Sequence, residues 1–205
     1  MIYFSVALAY LLGSIPTAVW LGKYFYGVDV REHGSGNAGA TNVLRTLGKK
    51  AGISVLLLDM LKGFAAVELS YLTSFSPGSD EWTNLRAVLA LASIIGHIFP
   101  VFANFKGGKG VATMTGTLIA LNPLAALIAI AIFFLMLALT KYVSLSSITT
   151  SLMLPVIFGA WLQSGFVLSM FSFAVAVIII IMHRQNIQRL MKGKESKTDL
   201  FGKKE

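Results

Sequence analysis

The chain has 205 residues, 56% hydrophobic and 13% charged, with 17 Lys and Arg against 9 Asp and Glu and a formal net charge of +8. Mean hydropathy is +0.75, and several uninterrupted apolar runs reach the ~20 residues that cross a ~30 Å hydrocarbon core, which excludes an ordinary water-soluble domain. In lipid every backbone N–H and C=O must be satisfied internally; the runs are continuous rather than alternating, so helices are expected instead of a closed barrel.

The first span, 2–22, begins at Met1 with no basic segment before it, runs through Gly13 and Pro16, and lacks a small-residue cleavage site. It is expected to be retained as a transmembrane helix. The loop after it carries GSGNAGATNVLR at 34–45. Gly34, Gly36 and Gly39 form a G-x-G-x-x-G, but the dinucleotide fingerprint needs a preceding strand and a βαβ unit, which a helical membrane chain does not offer. Glycines beside Ser35, Asn37, Thr41 and Asn42 let backbone amides approach an anion, and Arg45 can close on it with a bidentate fork. A flexible hydrophilic turn is the plain alternative for this loop.

The second span, 52–73, holds Asp59 and Lys62 three residues apart. An ionisable residue at membrane depth is a functional candidate by default, but a mutually neutralised pair also serves structure, and that reading is preferred here. Glu68 has no account from sequence. The third span, 85–103, contains His97 near its inner end, where packing is as good a reading as ligation. It leads into FKGGKG and then a fourth, short span at 111–121, so Lys106, Gly107, Gly108, Lys109, Gly110 and Thr113 gather where a helix opens. Glycine amides, the positive end of a helix dipole and two ammonium groups make a phosphate seat. The G-x-x-x-x-G-K-[ST] spacing of a nucleotide-binding loop is missing, so phosphate is inferred without ATP. Eleven residues rise only about 16 Å, so this helix is expected to be extended by the preceding loop or packed inside the bundle.

Asn122 and Pro123 separate it from a fifth span at 124–139, followed by spans at 145–162 and 166–182. Beyond the last, HRQNIQRLMKGKE at 183–195 places His183 and Asn186 three apart on a helix expected to continue. The alternative is an interfacial helix end with snorkelling Arg184 and Arg189. The expected fold is therefore all-α, a bundle of about seven transmembrane helices over 1–195 with a basic tail at 196–205. The segments 23–50, 104–110, 140–144 and 183–205 share one side and hold every Lys and Arg except Arg86 and Lys62. The positive-inside rule makes that side cytoplasmic and puts the N-terminus outside. A basic inner face also attracts anionic membrane lipid; no recognition module supports nucleic acid. With no cysteine, thiol catalysis is excluded, and the histidines and acids show no metal-ligand spacing, so neither metal nor cofactor is expected.

Four stretches, GSGNAGATNVLR, LDMLKG at 58–63, GHIFPVFANFKGGKGVAT at 96–113 and HRQNIQRLMKGKE, together resemble the PlsY family of bacterial glycerol-3-phosphate acyltransferases that use acyl phosphate as donor. The resemblance covers nearly the whole chain; the departure is a tail running ten residues past Glu195. It implies a seven-helix inner-membrane enzyme with a cytoplasmic active site that makes lysophosphatidic acid from glycerol 3-phosphate and acyl phosphate. By the same resemblance Ser35, Arg45, the glycine loop with Lys109, His183 and Asn186 are the functional positions, and Glu195 matters more for structure.

Both substrates bring a phosphate, so the site must hold two multiply charged anions, and Arg45, Lys106, Lys109 and backbone amides supply compensating charge. An acyl phosphate is already activated, which favours direct attack by the glycerol hydroxyl without an acyl-enzyme. Either His183 or the donor's own phosphate takes the proton, the second reading leaving His183 and Asn186 to orient it. A soluble enzyme that makes acyl phosphate is an implied, transient partner. The rival reading is a permease for a small organic phosphate; transport places polar groups at the midplane in broken, repeated helices, whereas here they cluster at one interface.

Overall fold

A computed structural model describes residues 1–198, so most of the tail expected over 196–205 lies outside the described residues. The chain divides into two compact units, Met1–Leu124 and the stretch from Ala125 onward.

In the first unit, the expected span at 2–22 forms two helices, α1 (Ile2–Gly13) and α2 (Thr17–Tyr26), bent by 42°. Pro16 causes the break: it has no N–H to donate and disfavours helical backbone in the residue before it. After α2 ends on left-handed Gly27, a single turn at Val30–Glu32 leads to α3 (Ala40–Leu47), an amphipathic helix in the loop that sequence reads only as glycine-rich. Its Asn42 and Val43 are buried. Next come α4 (Lys49–Glu68), α5 (Asp80–Ile98) and α6 (Val111–Leu121). Ser79 caps α5, its hydroxyl oxygen accepting from Trp82 N–H at 3.2 Å, with Asp80 and Glu81 favourably placed in the first turn.

The central helix α4 packs against α1, α3, α5 and α6. Close approach rests on glycine. A Cβ on Gly116 of α6 would collide with the Met60 carbonyl of α4, and one on Gly63 with the Thr113 carbonyl; Gly13 and Gly96 do the same for α1 against α5. Lipid offers little hydrophobic drive between helices, so such contacts gain their stability from tight backbone packing. The short α6 is thereby packed against α4 and α5, the second of the two options for an eleven-residue helix.

The second unit contains α7 (Pro123–Thr140, its first residues shared with the first unit), α8 (Val143–Pro155), α9 (Gly165–Met182) and α10 (Arg184–Met191). α8 and α9 pack together, and α8 ends in a wider π turn at Val156–Trp161, directly after Pro155. Helix α9 is interrupted at His183, and helix resumes at once as α10, the Ile187 N–H donating to the His183 carbonyl at 2.9 Å. His183 Nδ1 lies 2.8 Å from the Ile179 carbonyl, and its N–H is shared between Ile179 and Ile180.

All seven expected spans are thus helical; the fourth keeps its expected boundaries, 111–121, and the other six shift. Four segments among the described residues, 80–103, 123–140, 143–161 and 165–182, are long and apolar enough to cross a bilayer, or five if the bent α1–α2 pair is one span. Large apolar side chains such as Leu57, Leu61, Leu127, Leu135 and Phe173 face outward, the surface expected of a protein solvated by lipid.

Glu68 and Arg86 prove to be partners. Arg86 is buried; it donates to Glu68 Oε1 at 2.9 Å and to the Ala120 carbonyl at the end of α6, and its guanidinium lies 4.2 Å from the centre of the Trp82 ring. Arg86→Met keeps the bulk and removes the donors. With allowance for the partial exposure of Glu68, the loss is expected to be about 2 kcal/mol, read as a lower thermal-unfolding midpoint in detergent. The Arg86→Met, Glu68→Gln pair should lose less than the sum of the two single changes.

Candidate functional site

The first glycine loop is folded around one carboxamide. Asn42, buried at the start of α3, donates from Nδ2 to the Val30 carbonyl at 2.7 Å and the His33 carbonyl at 3.1 Å. Its Oδ1 accepts from Ser35 N–H at 2.8 Å and from the Ser35 hydroxyl at 3.1 Å. Gly34 and Gly36 take left-handed backbone, φ 61° and 71°, to wrap the chain over this amide, and a Cβ on Gly34 would strike Asn42 Oδ1. The side chain of Asn42, expected at a phosphate, is therefore engaged inside the loop, while it fixes Ser35 at the exposed surface. Asn37 folds over Gly39, and Thr41 stands in the first turn of α3, where the Asn42 and Val43 amides already donate to the Gly39 carbonyl. Arg45 lies exposed one turn on.

Asp29 and Arg31 anchor this loop, and sequence gave no signal for either. Arg31 Nε and Nη2 grip the Asp29 carboxylate at 3.0 and 2.7 Å, and Nη1 donates to the Ala103 carbonyl of the second loop at 3.2 Å. The Arg31 guanidinium holds the Asp29 carboxyl well below the usual carboxylate range.

The second loop closes back on the helix before it. Gly107 N–H donates to the Ile98 carbonyl at 3.1 Å, and Gly108 N–H to the His97 carbonyl at 3.2 Å. The last carbonyls of α5 need donors, so these two amides, expected to face an anion, satisfy the helix end instead. The amides at the start of α6, which follows left-handed Gly110, are the ones the helix leaves unpaired. Lys106 is exposed and Lys109 half-buried beside them; Thr113 is fully buried where α6 crosses α4. A Cβ on Gly108 would come within 3.0 Å of the Ala38 carbonyl. Two contacts, Arg31 to Ala103 and Gly108 to Ala38, thus bring the Ser35–Arg45 loop and the Lys106–Gly110 loop together.

His183 and Asn186 belong to the second unit. Because a carbonyl only accepts, the contact with Ile179 puts a proton on His183 Nδ1 and points to Nε2 as the nitrogen that exchanges the second proton. Asn186 is held by Glu195: Nδ2 donates to Oε1 at 2.6 Å. Glu195 also accepts from the Ser144 hydroxyl at 2.7 Å and from Arg189 Nε at 2.7 Å, with a side chain only 5% exposed. Burial pushes its carboxyl up, but the hydrogen bonds from Asn186, Arg189 and Ser144 outweigh that and hold it below its ordinary value. Sequence spacing pairs His183 with Asn186; the structure adds Ser144, from a different helix.

Residues 3–193 match the family described as glycerol-3-phosphate acyltransferase. The chain is 45% identical over 192 residues to a glycerol-3-phosphate acyltransferase of Fusobacterium nucleatum, covering 94% of this chain and 95% of that one. It is 46% identical over 200 residues to one from Staphylococcus saprophyticus, covering 96% and 98%. Among solved structures it is similar to PlsY, an integral membrane glycerol 3-phosphate acyltransferase, in its glycerol 3-phosphate form, with TM-score 0.87, 39% identity and 98% and 99% of the two chains covered. The lysophosphatidic acid form of PlsY gives TM-score 0.83 at the same identity, with 97% and 95% covered.

The Glu195 cluster should show in the pH dependence of stability. A carboxyl lowered by folding stabilises fully above its ordinary value of 4.5 and progressively less as pH falls below that. Glu195→Gln is therefore expected to melt below the wild type at pH 7, with the gap narrowing under about pH 4.5; thermal melts in detergent across pH check it.

Proposed function

The chain belongs to the glycerol-3-phosphate acyltransferase family, and from that premise we propose that it moves an acyl group from acyl phosphate directly to glycerol 3-phosphate at a site facing the cytoplasm. It is an integral membrane acyltransferase of the PlsY kind. Lysophosphatidic acid is the product, and inorganic phosphate leaves from the donor.

The observation that carries the reading is the junction of two glycine loops. Lys106 and Lys109 precede the opening of α6, Arg45 stands in the last turn of the short α3, and the opening of a helix offers its first amides to an anion, which supports the assignment of these residues to phosphate. Two phosphates brought side by side repel each other, and fixed cations and amides offset that repulsion without reorganising during the reaction. Ser35, pinned by Asn42, presents a hydroxyl at the same junction and is assigned to the glycerol end of the acceptor.

In the proposed step the acceptor hydroxyl attacks the acyl carbonyl, the new ester C–O bond forms, and the carbonyl-to-phosphate C–O bond breaks. The mixed anhydride is activated enough that positioning and electrostatics carry the step without a covalent enzyme intermediate. The departing phosphate takes the hydroxyl proton; the resemblance to the PlsY family supports assigning His183 and Asn186 to orient it. The acyl chain enters from the lipid of the inner leaflet along the apolar surface of the helices. The basic loops define the cytoplasmic side by the positive-inside rule, which gives a soluble enzyme that forms acyl phosphate direct access to deliver it.

Purified protein offered glycerol 3-phosphate with acyl phosphate, acyl-CoA or acyl carrier protein is expected to yield lysophosphatidic acid from acyl phosphate alone, with no burst of product before steady state. Comparable turnover with acyl-CoA would overturn the donor assignment. Arg45→Ala removes a charged hydrogen-bonding partner of a phosphate and should lower kcat/KM for glycerol 3-phosphate by roughly 10- to 100-fold; unchanged kinetics would remove Arg45 from the site.

A further inference from the structure

Within the first unit, Asp59, buried on α4, gathers three neighbours. Its Oδ1 accepts from the Thr17 hydroxyl at 2.7 Å and from Lys62 Nζ at 2.8 Å, and faces His97 Nδ1 at 3.6 Å. Lys62 Nζ also donates to the Ile15 carbonyl at 2.8 Å, at the break between α1 and α2. The Asp59–Lys62–Thr17 set already neutralises and bonds the carboxylate, so stapling the helices does not require an imidazole. At 3.6 Å His97 Nδ1 lies beyond ordinary hydrogen-bond length, and it has no hydrogen-bond partner. The side chain is nonetheless buried.

What His97 does touch is the second glycine loop. Its carbonyl accepts from Gly108 N–H, and that of the next residue, Ile98, accepts from Gly107 N–H. Its Nε2 occupies the space where a Gly108 side chain would stand. The ring thus lies between a buried carboxylate on one edge and the residue preceding Lys109 on the other. We propose that His97, wedged between Asp59 and Gly108, is a positioning residue that sets the Gly107–Gly108 turn and with it the ammonium group of Lys109. The inference rests on the phosphate-binding reading of that loop.

A double-mutant cycle tests it, with activity scored on whichever acyl donor the wild type uses. A wild type that fails with acyl phosphate but works with another donor counts against the donor assignment and leaves this test in place. Gly108→Ala drives a methyl into the imidazole and is expected to lower kcat/KM for the phosphate substrates about tenfold or more. His97→Ala removes the support and should lower it several-fold, mainly through KM, with a melting midpoint close to wild type. Combined, the new methyl fills the space the ring vacates; the Ala38 carbonyl, 3.0 Å from that methyl, is the milder contact. The double variant should therefore be more active than Gly108→Ala alone. Additive losses in the Gly108–His97 pair, or losses that simply track the melting midpoint, would overturn the proposal and leave His97 a packing residue.

Discussion

The architecture of the first unit depends on how closely α6 lies against α4 and α1 against α5. Both crossings run through glycines whose added side chains would strike backbone carbonyls of the partner helix, at Gly63 and Gly116 in one case and Gly13 and Gly96 in the other. Lipid gives helices no hydrophobic reason to associate, so contact area at short range has to serve. The consequence reaches the loops. With α6 held tightly to α4, the segment from Phe99 to Gly110 must return from the end of α5 to the start of α6 in a compact turn. Two residues in left-handed backbone, Asn104 and Phe105, accomplish part of that return.

Each glycine loop then solves the same problem differently. Loop backbone near lipid carries polar groups that need partners, and a phosphate site also needs amides that lack them. In the first loop a side chain, Asn42, takes four hydrogen bonds and so organises the segment from Val30 to Ser35 internally. In the second loop the end of a helix does the work, the carbonyls of His97 and Ile98 accepting from Gly108 and Gly107. Both devices consume amides that the sequence alone would assign to an anion, and both lead into the opening of a helix, α3 or α6, where a helix's first amides lack the i−4 acceptor of later turns. Glycine serves different ends within one motif: left-handed backbone at Gly34 and Gly36, and room for the His97 ring at Gly108.

Helical content and the grouping of polar residues into three stretches were legible because apolar runs of membrane length and clustered Gly, Lys and Arg are local signals. What stayed hidden depends on contacts across long sequence separations. Glu68 had no account because its partner, Arg86, is 18 residues away beyond a turn. Asp29 and Arg31 looked like ordinary loop charge until Arg31 met the Ala103 carbonyl, 72 residues on. Helix α3 was missed because its eight residues follow a run of glycine and polar residues; what makes it a helix is the burial of Asn42 and Val43, a tertiary effect. The break at His183 was equally invisible: nothing in IIIIMHRQN breaks a helix by propensity, and the interruption coincides with the ring's bond to the Ile179 carbonyl.

The fate of the charges follows a division of labour. Asp29, Asp59, Glu68 and Glu195 are each held by a basic side chain, and each of these pairs fixes backbone or side chains rather than offering a vacant carboxylate. For Asp29, which lies in the loop leading to the proposed phosphate site, pairing also lowers the electrostatic cost that a bare carboxylate would add to anion binding. The pairing also has a structural use. Glu195 holds Asn186 at 2.6 Å, and Asp29 fixes the arginine that ties one loop to the other. In the proposed reaction, acids paired during folding would leave the polar groups assigned to substrate already oriented for the phosphates, with little rearrangement demanded by the step itself.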